Sequence, residues 1–237
     1  MSRLLAFDTA TERMAVALQT ATGRWSANEP GGAAASATLL PCIERLLGQA
    51  GIGYADLDAI AFGRGPGAFT GLRTSCAVAQ GLGFGAGRPV IALDSLLAVA
   101  EDARAQVAPE AAQLDVGVAM DARMGEVYAA RYRWDGRRWH AIEAPALLTL
   151  AVLSESWAER APDWVAGSAL DAFGDRLPLR GMRRVPAERD RAAALGVLAA
   201  QAWADGAATD AALALPLYLR DKVALTTRER EAARAGA

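Results

Sequence analysis

Hydrophobic positions along the first hundred residues switch between two spacings. Short apolar or alternating runs predict strands at 3–7, 14–20, 24–28, 59–62 and 90–93, and spacing of three to four predicts helices at 38–49, 69–84 and 95–105. The order is βββαβαβα. A second pass follows, with strands at 116–120, 126–134 and 138–142 around a turn at Asp135-Gly136, a helix at 151–160, a strand at 164–167, and helices at 169–175 and 191–205. The two passes also share letters. AFDTATERMAVALQ from Ala6 matches AMDARMGEVYAARY from Ala119, which sets Asp8 against Asp121 at an offset of 113 residues. Self-similarity at that distance predicts an α/β protein made of two copies of one βββαβα unit facing a cleft. The expected lobes are 1–106 and 107–220, the last helix being free to pack back on the first lobe, with a charged tail at 221–237.

Composition narrows the classes. The 237 residues are 53% apolar and 22% charged, as in an ordinary folded protein, and the longest charge-free runs, such as 74–87, are too short to span a bilayer. The start, MSRLLAFDTATER, lacks the long apolar core of a secretory signal, so a cytoplasmic location is expected. Cys42 and Cys76 show no CxxC spacing and read as packing residues of a reducing compartment. A formal charge of −2 argues against an autonomous nucleic-acid binder, though local basic patches remain open. His140 is the single histidine, which removes most hydrolase and metal-centre readings, and no GxSxG elbow occurs.

The stretch GRGPGAFTGLR sits between a strand and a helix. Pro66 fixes one backbone angle while Gly65 and Gly67 adopt angles closed to other residues, so with Thr70 they brace the following helix; anion binding at its first turn is the lesser alternative. Along that helix Gly71, Ser75, Ala79 and Gly83 recur four apart on one face, either buried in their own lobe or open to a partner helix. The preceding helix carries a wide apolar stripe of Leu39, Leu40, Ile43, Leu46 and Leu47. Asp8 and Asp121, with Arg123 beside the latter, fall where strands end at the rim of the expected cleft, as ligand contacts or as turn residues bonding their own backbone. No P-loop is present, because Lys222 is the only lysine. Arginines interleave with aromatics at 131–139, making Arg137 and Arg138 candidate RNA contacts or half of an ordinary exposed strand pair. Arg220 and Lys222 near the end are candidate partner or RNA contacts, or ordinary surface salt-bridge residues, and Arg176, Arg180, Arg183, Arg184, Arg189 and Arg191 read as a solvated connector.

Four ordered segments, AFDTATERMAVAL, GRGPGAFTGLRTSCAVAQGLGFG, DARMGEVYAARY and PLYLRDKVA, together resemble the TsaB (YeaZ) family over nearly the whole chain. The resemblance implies two RNase H-like lobes of the actin and sugar-kinase (ASKHA) superfamily. It implies a non-catalytic scaffold that dimerises with a TsaD-like paralogue and supports threonylcarbamoylation of the adenosine beside the tRNA anticodon. It also implies a TsaE-like ATPase as a further partner, tRNA engaged through the complex, and self-association of the chain when alone. No cofactor is expected on this chain itself; ATP, ADP or threonylcarbamoyl-AMP and a metal are expected in the partner. The paralogue's His-x-x-x-His metal motif would fall at Ser95 and Val99 here, and valine cannot bind a metal. Relatives often carry a histidine shortly before the proline of the first helix, where this chain reads AAASATLLP. Under this resemblance the small-residue strip and the leucine stripe form the partner interface, so Ser75→Arg is expected to abolish binding and leave stability nearly unchanged. The rival expectation is a free-standing ATP-dependent kinase or ATPase of the same superfamily, disfavoured because neither hairpin holds a glycine pair for phosphate.

Overall fold

The computed structural model describes residues 2–220 apart from Pro178 and Pro186, so Lys222 and the expected tail lie outside the described residues. The first lobe is built from β1 (Leu4–Asp8), β2 (Arg13–Gln19), β3 (Arg24–Pro30), α1 (Ala35–Ala50), β4 (Ala59–Gly65), α2 (Phe69–Ala86), β5 (Val90–Asp94) and α3 (Ser95–Val107). The second contains β6 (Leu114–Asp121), β7 (Glu126–Trp134), β8 (Trp139–Thr149), α4 (Leu150–Glu159), β9 (Trp164–Ala166), α5 (Ala169–Phe173) and β10 (Arg183–Arg184). A last helix, α6, spans Arg191–Ala204.

The sheets run β3-β2-β1-β4-β5 and β8-β7-β6-β9-β10, one order written twice. In each, the first three strands form an antiparallel meander, and the remaining two lie parallel to the first. The duplication read from the letters is therefore a duplication of topology. β10, only two residues long and flanked by prolines, carries no periodicity from which a strand could be predicted.

Alternation along β1 sends Leu5 and Phe7 to one face and Leu4 and Ala6 to the other. On the first face they meet Met14, Val16, Leu18, Ile60 and Phe62 under α1 and α2. The other face is paved with small residues, Ala6, Ala15, Ala17, Ala59 and Ala61, and α6 covers it with Ala192, Leu195, Leu198 and Ala199. Although it follows the second lobe in sequence, α6 thus packs on the first sheet. The chain stays there: Thr209 and Val90 exchange backbone hydrogen bonds of 2.8 Å, and Ala211 and Ala214 enter the first core. The last helix and the chain as far as Ala214 thus pack back on the first lobe. Leu96, Val99, Ala100 and Ala103 of α3 pack on the second sheet against Val116, Val118 and Tyr132, while Ala98 faces the first. One helix serves both lobes.

Candidate functional site

A cleft of about 550 Å³ opens between the lobes. Its walls come from the β1–β2 hairpin, the glycine loop, the β6–β7 hairpin, the start of α6 and the chain at 217–220. Asp8 closes β1 at this rim and is fully buried. Its Oδ1 accepts the Ala10 N–H at 2.7 Å, and its Oδ2 accepts from Arg191 Nη2 at 3.0 Å. A side chain at Gly63 would run into the Asp8 carboxylate at 2.1 Å, so glycine there is what lets the carboxylate fold under the neighbouring strand. Asp121 repeats the turn: its Oδ1 accepts the Arg123 N–H at 2.8 Å, while its own N–H donates to Ser168 Oγ at 3.0 Å. Arg123 reaches back to Asp121 at 3.4 Å and across the cleft to Glu12 at 3.2 Å, an exposed pair linking the two hairpins. Both aspartates act as turn residues and both have an arginine partner, Asp8 in the interior and Asp121 near the surface.

Arg191 was expected in a solvated connector and is instead only 3% exposed. Burial works against its charge, but the fields of Glu188 and Asp8 outweigh it and hold its pKa above the ordinary value. The signal was present in the helix register: Arg191 stands one, four, seven and eight residues before Ala192, Leu195, Leu198 and Ala199, the positions that face the sheet. Two more buried polar contacts escaped notice. Tyr132 donates to Asp94 Oδ2 at 2.5 Å, joining the second sheet to the start of α3, and Arg131 forks onto Asp115 at 2.7 and 2.9 Å.

The glycine loop leads from β4 into α2 and has a specific neighbour. Gly65 has φ +111°, and a side chain at Gly67 would strike Ala10 O at 2.4 Å, so the loop lies directly on the first hairpin, where Ala68 N–H donates to Ala10 O at 2.8 Å. Pro66 is buried, while Thr70 is exposed on the first turn and its carbonyl accepts from Thr74 Oγ1.

The small-residue strip faces inward. Ser75 and Ala79 are fully buried, a Cβ on Gly71 would lie 1.9 Å from Thr9 O, and one on Gly83 would lie 2.7 Å from the Ala211 side chain. The strip is where α2 meets β1 and the returning chain, so a partner cannot use it. Leu39, Ile43, Leu46 and Leu47 are likewise core, and of the predicted stripe only Leu40 is exposed, at 41%. The opposite face of α2 is open: Ala77, Gly81 and Gly85 are exposed, a Cβ on either glycine would meet no described atom within 4 Å, and Phe84 is 62% exposed.

The chain at 213–220 crosses from lobe to lobe. Leu217 N–H donates to Arg64 O at 2.7 Å, Tyr218 stacks on Phe69, and Arg220 pairs with Glu126 at 2.6 Å and donates to Ala122 O at 3.0 Å. Arg220 is therefore engaged at the cleft mouth. Arg138 pairs with Asp205 at 2.6 Å and Arg137 is exposed on the β7–β8 turn, both apart from the cleft walls. Ser95 Oγ accepts the Gly65 N–H at 3.1 Å and Val99 is core. Among the described residues no three His, Cys, Asp or Glu side chains gather as a metal site.

The family model described as "TsaD: tRNA N6-adenosine threonylcarbamoyltransferase" matches residues 29–174. The tRNA threonylcarbamoyladenosine biosynthesis protein TsaB of Escherichia coli is 37% identical over 232 residues, covering 94% of this chain and 96% of the relative. The chain belongs to the TsaB (YeaZ) family. A solved structure of YeaZ from Pseudomonas aeruginosa is similar at 38% identity with a TM-score of 0.82, covering 92% of this chain and 100% of that one. An inorganic polyphosphate/ATP-glucomannokinase from Arthrobacter is similar in fold alone, with a TM-score of 0.51 at 15% identity over 86% of this chain and 100% of the kinase. The two-lobed α/β fold of this TsaB-family chain is thus shared with that kinase. No described helix is long and apolar enough to cross a membrane.

Proposed function

We propose that the chain serves tRNA threonylcarbamoyladenosine biosynthesis as the non-catalytic partner of a TsaD-like paralogue, docking through the outward faces of α1 and α2. The pathway is supported by the name of the E. coli relative. The docking reading rests on one observation: α2 turns a face of Ala77, Gly81 and Gly85 to solvent with Phe84 at its end, and α1, which packs against α2, exposes Leu40. A helix strip without bulky side chains, with exposed apolar groups at its margin, lets a partner helix approach closely, as in a four-helix bundle. The same face accounts for self-association of the chain alone. Under this reading the metal and ATP, ADP or threonylcarbamoyl-AMP sit in the partner, while tRNA and a TsaE-like ATPase engage the complex in the cytoplasm.

The commitment of Asp8 to Arg191 disfavours a free-standing kinase, since this rim carboxylate has its charge already paired. Light scattering after gel filtration tests the proposal: the chain mixed with a TsaD-like protein should elute as a heterodimer, and tRNA modification should require both. Micromolar, magnesium-dependent ATP binding by the chain alone, with no heterodimer, would overturn it.

A further inference from the structure

Four oxygens surround the Arg191 guanidinium at the back of the cleft. Asp8 Oδ2 and the Ser95 carbonyl lie 3.0 and 3.1 Å from Nη2, while Glu188 Oε2 and Thr11 Oγ1 lie 3.2 and 3.5 Å from Nη1. Two carboxylates, a carbonyl and a hydroxyl are the donor set that a hard divalent cation takes. Here a side chain of the same molecule fills it. The guanidinium is 97% shielded and its Nε has no partner among the described residues, so it is held by charge and position rather than by full hydrogen bonding. The other cations of the neighbourhood do not compete: Arg13 Nη1 donates to the Glu188 carbonyl at 3.4 Å, and Arg123 is spent on Asp121 and Glu12.

We infer that the oxygen cage of Asp8, Thr11, Ser95 and Glu188 is a cation site whose resident is the Arg191 guanidinium, and that Arg191 thereby keeps metal-bound phosphates out of the inter-lobe cleft. Asp8 reaches the cage because β1 ends there, and Arg191 because α6 begins there after the chain returns from the second lobe. A covalently tethered cation cannot exchange, so the rim carboxylate is closed to Mg²⁺ however much is present. With the guanidinium gone, the buried Asp8 and the partly exposed Glu188 lose their counter-charge, a costly state for Asp8 above all that a divalent ion relieves. The claim stands apart from the partner reading: the outward face of α2 is a different surface, and loss of the heterodimer would leave the cage untouched.

Mn²⁺ titration of the full chain, read by electron paramagnetic resonance, tests it. Arg191→Ala should bind one Mn²⁺ at least about tenfold more tightly than the parent chain. Asp8→Asn/Arg191→Ala should lose that site. If Arg191→Ala is too unstable to titrate, its melting temperature should rise with millimolar Mn²⁺ or ethylguanidinium and not with equivalent Na⁺. Three results would overturn the inference: a folded Arg191→Ala that binds no more Mn²⁺ than the parent, binding that survives Asp8→Asn, or an unstable variant rescued by neither ion.

Discussion

Ser75 and Thr9 close a hydrogen-bonded circuit inside the first lobe. The Thr9 N–H donates to Ser75 Oγ at 3.0 Å, the two hydroxyls lie 2.8 Å apart, and the Thr9 hydroxyl donates to Gly71 O at 2.7 Å. With the Thr9 proton spent on Gly71, the Ser75 hydroxyl donates to Thr9, and every polar atom of the circuit is satisfied. Ser75→Arg therefore reverses the outcome expected from the sequence: it should cost about 4 kcal/mol or more, by forcing a long charged chain into a filled space. Ser75→Ala, which orphans the buried Thr9 N–H, should cost about 1–3 kcal/mol. Thermal and urea unfolding check both, and an unchanged melting temperature for Ser75→Arg would mean that the strip is surface after all.

The glycines of α2 split by face. Gly71→Ala would set a methyl against the Thr9 carbonyl, backbone against backbone with nothing flexible to yield, and should cost about 2–3 kcal/mol. Gly81→Ala and Gly85→Ala place their methyls in solvent and gain helix propensity, so each should stabilise the chain by about 0.8–1 kcal/mol. Denaturation midpoints of the three variants would expose any error in the assignment of faces, since a helix with its faces exchanged gives the opposite ranking.

Element order and the duplication were legible because strand and helix periods differ and because both lobes write the same order. The outward face of α2 was not legible. Gly71, Ser75, Ala79 and Gly83 are small, and so are Thr74, Ala77, Gly81 and Gly85, so size alone does not say which set meets β1. The amphipathic stripe of α1 misled differently, since one face of a mixed sheet together with the flank of α2 consumes four of its five large residues. Asp8 and Asp121 were legible as a pair, but the partner of Asp8 lies 183 residues away. Only the register of α6 pointed to it.

Steric bulk on the open face should separate assembly from stability. Gly81→Arg adds a long side chain where no described atom lies within 4 Å of the new Cβ, so folding should be unharmed or slightly improved. The same variant should lose both self-association and the complex with a TsaD-like protein, as seen by light scattering. If the complex persists while the melting temperature holds, docking through this face is wrong.

The Tyr132–Asp94 pair should give stability a pH dependence of defined sign. Burial is the largest influence on Asp94 and raises its pKa above the ordinary aspartate value, opposed by the hydrogen bond from Tyr132 and by the Leu96 and Leu97 N–H groups. Because the folded value lies above the unfolded one, the folded chain keeps the Asp94 proton over a pH window in which the unfolded chain has released it. This contribution to stability is complete below the unfolded pKa and is lost as pH rises through the folded one. Asp94→Asn keeps a side-chain oxygen for the α3 N-terminus and removes the titration. Its stability relative to the parent should therefore increase with pH from the unfolded aspartate value upward, measured by urea unfolding across the acidic range. Tyr132→Phe removes the strongest opposing influence, raises the folded pKa further and should extend the window to higher pH. Parallel stability curves for the parent and Asp94→Asn would show that Asp94 titrates alike in both states and that the pair is only a structural pin between the lobes.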